Sequence, residues 1–135
     1  MVRVAHPRNF TRVATFPVFR NTTIDQETVA EIVAASADGN TLIYTDSPND
    51  QVGFVDITDP AQPQPRGVLG LAGEPTSVAV HGPYALVAVN TSADFVDTSG
   101  ELAVIDIASR TLIATLPLGG QPDSVAAAKD GSFLA

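Results

Sequence analysis

Three stretches of the chain align without gaps: IVAASADGNTLI (32–43), SVAVHGPYALVA (77–88) and SVAAAKDGSFLA (124–135). Their starts lie 45 and 47 residues apart. A second phrase recurs between them, GFVDIT (53–58) and AVIDIA (103–108). A third closes the unit, LAGEPTS (71–77) and LGGQPDS (118–124), and ATFPVF (14–19) matches ATLPLG (114–119) near the N-terminus. A period of this size is the mark of a repeat architecture, in which each unit buries its apolar face against the next.

Each unit holds four short apolar runs, which in the second are 77–80, 85–89, 102–107 and 111–116. Gly, Pro, Asn and Asp separate them, as turns require. Ile, Val, Leu and Thr dominate the runs, and none reaches helical length. Four strands per repeat of about 40–50 residues is the pattern of a propeller blade. An immunoglobulin-like sandwich shares the short strands but has no repeat at this period. The first run of each unit is rich in Ala and Val, small enough for strands that converge on an axis. The one helical candidate, 25–35, overlaps an aligned strand, which leaves room for a turn or two before Glu31.

The expected fold is therefore all-β: a β-propeller fragment of two complete four-stranded blades with partial blades at both ends. Residues 1–31 form an irregular N-terminus, the last strand of a preceding blade (12–19) and a long loop. Residues 32–76 and 77–123 are the complete blades, and 124–135 begin a third. Propellers close with about four to eight blades. The chain then reads as part of a larger protein, with the remaining blades or a neighbouring domain as partner. Open blade edges make self-association the alternative.

Composition narrows the function. The chain has 135 residues, 44% hydrophobic and 16% charged, enough for one core. There is no Cys, so no disulfide, thiolate metal site or Cys nucleophile exists. The net charge of −8 argues against a nucleic-acid partner, which needs a basic surface. The charge is uneven: Arg3, Arg8, Arg12 and Arg20 precede every one of the 15 acids. No apolar run approaches the roughly 20 residues of a membrane helix, and MVRVAHPRNF lacks the apolar core of a signal peptide.

Alternating strand direction sorts the loops onto two ends. Loops 20–30, 46–50, 73–76, 90–101 and 120–123 share one; loops 37–40, 58–65, 81–83, 108–110 and 129–132 share the other. The first end collects most of the acids, with Arg20 as its only fixed cation, and carries both expanded loops. Long loops on one face commonly carry function. This end is a candidate Ca²⁺ site, because carboxylates and loop carbonyls suit a hard cation. The candidate ligands are the pairs Asp46/Asp50 and Asp94/Asp97. The alternative is a solvated acidic rim that keeps the protein soluble.

Other conspicuous residues read as structural. Asp56 and Asp106 recur at the end of the third strand, where Asp accepts from the N–H groups of the next turn. The Asp-Gly pairs 38–39 and 130–131 are hairpin turns. His81 occupies a hairpin, His6 lies in the irregular N-terminus, and two distant His without Cys make no zinc site. Ser77 and Ser124 sit at strand starts without a nucleophile elbow, so no catalytic residue is assigned. Asn21-Thr22-Thr23 and Asn90-Thr91-Ser92 match the glycosylation acceptor pattern, which is short enough to arise by chance.

The phrases SVAV (77–80), VIDI (104–107) and ATLPLGGQPDS (114–124) resemble YVTN-type propeller repeats, within the broader WD-like repeat class. AEIVAASADGNTLIYTDSPNDQVGFVDITDP (30–60) and GEPTSVAVHGPYALVAVNTSADF (73–95) are similar to the N-terminal propeller of bacterial secreted or surface proteins with a phytase-like esterase region, often called alkaline-phosphatase-like. The resemblance implies a secreted or surface setting and a non-catalytic propeller scaffold or binding segment. The alternative it implies is part of a calcium-dependent phosphoester hydrolase. That chemistry needs convergent acids, a cation and preferably Arg or Lys in one pocket.

Overall fold

The computed structural model describes residues 10–135. Eight strands form two sheets, each a meander in chain order. The first joins β1 (Val33–Ala35), β2 (Thr41–Asp46), β3 (Gln51–Asp56) and β4 (Gln64–Gly70). The second joins β5 (Glu74–His81), β6 (Tyr84–Asn90), β7 (Gly100–Asp106) and β8 (Thr111–Leu118). All pairings are antiparallel. The described residues contain no α-helix, only 3₁₀ turns at Val18–Asn21 and Ser47–Asn49. The helical candidate at 25–35 is instead loop leading into β1, because its backbone is drawn to β2. Glu31 N–H donates to Thr45 O at 3.3 Å, and Ile32 O accepts from Thr45 N–H at 3.0 Å.

The three aligned dodecamers each fold as an antiparallel hairpin, the first two in separate sheets. The third makes one bridge, Ala127 to Leu134, flanked by paired bonds between Ala126 and Ala135. Both Asp-Gly turns have the left-handed glycine the pattern requires, with φ +74° at Gly39 and +71° at Gly131. The gapless alignment does err in the second unit. His81 pairs with Tyr84 across a two-residue turn, whereas Ser36 N–H reaches Thr41 O across four. The resulting shift of strand partners is by two residues. A shift of two keeps each side chain on the same face of its strand.

The sheets pack through β5, which lies against β1, β2 and β3. One core joins Ile43, Val52 and Phe54 of the first sheet to Val78, Val87 and Ile105 of the second. Burial of both faces explains why β2, β3 and β6 read as near-continuous apolar runs. The outer strands differ: β4 alternates in exposure, and every residue of β8 is exposed.

Residues 12–19, expected as a strand, make no strand pairing. Pro17 lacks an amide donor, and no strand ladder among the described residues includes the segment. It instead runs over the face of the first sheet that points away from the second. Val13, Ala14 and Phe16 share a shallow hollow with Leu42, Val55 and Ile57. The far face of the second sheet is covered by 122–135, where Thr76 Oγ1 donates to Pro122 O at 3.0 Å and Val125 N–H to Ser77 Oγ at 3.2 Å. The outward apolar faces are thus covered near the middle of both sheets, although open blade edges were expected. At β8 they remain open.

Candidate functional site

At the acidic end, the long loop 22–31 is tied down by the side chain of Asp46, which is fully buried. Its carboxylate accepts from Val29 N–H at 3.0 Å, Asn49 Nδ2 at 3.1 Å and Gln51 Nε2 at 2.7 Å. Asn49 extends the network by donating to Glu27 O and accepting from Gln26 Nε2. Amide donors therefore surround Asp46, as a buried carboxylate requires. Asp50 sits in the left-handed region at φ +49°, where the chain leaves the 3₁₀ turn, and its carbonyl accepts from Leu71 N–H at 2.7 Å.

Asp94 and Asp97 lie in the β6–β7 loop. Asp94 Oδ1 accepts from Val96 N–H and Asp97 N–H, both at 2.7 Å, forming a capped turn. Those bonds, the one from Asp97 foremost, hold the Asp94 carboxyl below its usual range. The turn projects Phe95 and Val96 almost wholly into solvent. Among the described residues, no three His, Asp or Glu side chains converge as a metal group.

The cation assigned to this end lies elsewhere. Arg20 reaches toward the opposite end, donating to Pro63 O at 3.4 Å, with its guanidinium 5.4 Å from the Phe16 ring. The segment crosses the sheet from one end to the other, and Arg20 falls on the early part of that path. Loop membership alone could not reveal this. The acidic end thus has no basic side chain of its own among the described residues.

The opposite end carries a cavity. A cleft of about 490 Å³ opens between the two sheets, walled by the β1–β2 hairpin and the end of β3 on one side. The β5–β6 and β7–β8 turns form the other wall. Asp56 accepts from Thr58 N–H at 2.8 Å and pairs with Arg66. The Thr58 bond and then Arg66 bring its carboxyl down to about 2. Asp38 Oδ1 accepts from Ser36 Oγ at 2.6 Å and Asn40 N–H at 3.0 Å, with the Ser36 bond the main cause of its lowered pKa. Arg110 lines the other wall with φ +57°, and among the described residues it has no acidic partner.

Asp106 behaves as its repeat position predicts, accepting from Ser109 N–H at 2.8 Å and Ser109 Oγ at 2.7 Å. A Cβ on Gly131 would collide with the ring of His81, so that histidine packs under the third hairpin. His6 lies outside the described residues, as do Arg3 and Arg8. Asn21, noted only within an acceptor tripeptide, closes a bulge in the first sheet and is not free for modification. Its Nδ2 donates to Phe54 O and Tyr44 Oη, both at 3.0 Å. The sequence signal for the cleft was equally slight, since its residues come from turns in two different repeats.

Fold and site together define an all-β protein of two consecutive four-stranded meanders with a shared core and a cleft between them at one end. The Choice-of-anchor I domain model matches residues 31–135, and the chain belongs to that family. No curated protein matches it. Solved structures of similar fold include the following two. One is a functionally unknown protein from Desulfotomaculum acetoxidans DSM 771, with TM-score 0.60 and 13% identity over 78% of this chain and 31% of that one. The other is the hydrazine synthase of Kuenenia stuttgartiensis, with TM-score 0.60 and 22% identity over 78% of this chain and 28% of that one. The chain spans less than a third of the length of either.

Proposed function

We propose that this chain is a non-catalytic, propeller-type scaffold and binding segment of a larger secreted or surface protein. In this reading residues 32–76 and 77–123 are consecutive blades, and 124–135 open a third. The observation that carries it is the repeated meander: two sheets of identical strand order share one core through β5, and a third hairpin lies against the second sheet. Membership of a choice-of-anchor family supports the surface setting. No helix among the described residues is long and apolar enough to cross a membrane.

The disposition of charge favours binding over catalysis. Phosphoester hydrolysis needs acids and a cation around one reacting group. Here the acids of the calcium-candidate end are separated from Arg20, Arg66 and Arg110 by the length of the sheets. In the cleft that does hold Arg66 and Arg110 the carboxylates are already engaged, Asp56 by Arg66 and Asp38 by Ser36 and Asn40. The test is turnover of p-nitrophenyl phosphate by the isolated chain, with and without calcium. The expected result is no hydrolysis above buffer in either condition. Calcium-dependent turnover that disappears in Asp94→Asn would refute the scaffold reading.

A further inference from the structure

We propose that the cleft between the sheets binds a singly charged acidic sugar, its carboxylate on Arg110 and its hydroxyls on the wall formed by Asp38, Asn40 and Thr58. The proposal deepens the binding-segment reading and rests on it.

The charges of the cleft select the ligand. Asp56 and Arg66 neutralise one another, which leaves Arg110 as the cation without an acidic partner among the described residues. A guanidinium in that state is a fork for a carboxylate. Asp38 stands on the facing wall and would repel a dianion such as phosphate, so a single negative charge fits best. Its Oδ1 already accepts two hydrogen bonds and its Oδ2 one, from Asn40 Nδ2 at 3.2 Å. A carboxylate offers about four acceptor sites, so one on Oδ2 remains for a ligand hydroxyl. Pro83 and Ile107 supply an apolar surface for the C–H face of a sugar ring. The volume, about 490 Å³, lies within the range of small-molecule sites.

The backbone at Arg110 is the independent observation. Its φ of +57° is a conformation that Gly or Asn adopts at little cost and an arginine does not. The other left-handed turn positions at this end, Gly39, Gly82 and Gly131, are glycines. Holding a long cationic side chain at such a position, on the wall of the cavity, is strain kept where a ligand would use it.

The experiment titrates the full 135-residue chain with glucuronate, glucose, acetate and inorganic phosphate, followed by amide chemical shifts. Glucuronate should shift the amides of Asp38, Asn40, Thr58 and Arg110. Glucose, acetate and phosphate should each bind at least about tenfold more weakly, since each lacks part of the match. Arg110→Asn should weaken glucuronate binding about tenfold or more while melting no lower than the native chain, because Asn tolerates this conformation. Arg110→Gly should behave alike. Glucuronate that moves no cleft amide, or binds Arg110→Asn unchanged, overturns the site. Acetate or phosphate matching glucuronate overturns the sugar assignment. A folded chain that ignores glucuronate removes this site and leaves the scaffold intact, whereas calcium-dependent phosphatase turnover removes the scaffold.

Discussion

Asn21 closes a defect in the first sheet. Between Gly53 and Val55 the β3–β4 ladder slips, so Arg66 and Gly67 stand opposite Phe54 alone. Asn21 replaces the missing ladder bonds: its Oδ1 accepts from Arg66 N–H at 3.1 Å and Gly67 N–H at 2.9 Å, while its Nδ2 serves Phe54 O. The same Nδ2 meets Tyr44 Oη, and burial pushes that phenol's pKa up. Tyr44 fits because its cross-strand partner is Gly53, where a Cβ would overlap the ring. Asn21→Ala should therefore lose about 1–3 kcal/mol, the cost of leaving such groups without partners. Urea unfolding of the two proteins measures it, and an unchanged midpoint would show that water takes over the role. Asp56 and Asp106 were legible as turn acceptors because their bonds are local. Asn21 was not, since its partners lie more than 20 residues away.

The strands divide into those that were legible and those that were not by whether a neighbour is needed to define them. β5 through β8 coincide closely with the four apolar runs of the second unit, because side-chain alternation and turn residues act locally. The segment 12–19 carries the same phrase as β8 yet forms no strand, since a ladder requires an adjacent edge. β8 itself is the exposed outer strand, with Leu112, Ile113, Leu116 and Leu118 each between 38% and 52% exposed. Such an edge pairs readily with another chain. Replacing Ile113 and Leu116 together by Lys should reduce concentration-dependent association in sedimentation velocity. Stability should change by no more than about 0.5 kcal/mol per site, as at other surface positions. Association that persists unchanged in the double variant would place the contact elsewhere.

Across the whole molecule, carboxylates are held below their ordinary range by turn hydrogen bonds: Asp38, Asp56, Asp94, Asp106 and Asp130. Unfolded, these groups return to about 3.8; folded, Asp56 titrates at about 2. The folded chain therefore binds fewer protons in the interval between. Their stabilisation is complete above the unfolded value and is lost as pH falls through the folded ones. The melting temperature should accordingly drop between about pH 4 and pH 2. Asp56→Asn should melt lower than the native chain at neutral pH and show a shallower acid drop. An equally steep drop in the variant would assign the acid sensitivity to the other four. Charge is also segregated at this scale. Arg20 stands near Pro63 rather than among the acids, an arrangement created by a segment that crosses an entire sheet.

Apart from the strand expected at 12–19, the repeat period, the four strands of each complete unit and most turn positions were present in the order of residues. These depend on steric rules and hydrogen bonds that act within a few positions of the chain. Even the two-residue error in the second hairpin left the facing intact, because side chains alternate with a period of two. The packing of two sheets through β5, the repair of a bulge by Asn21 and the cleft beside Arg110 arose only in three dimensions. Each joins residues from distant turns, and their meeting depends on how the sheets stack.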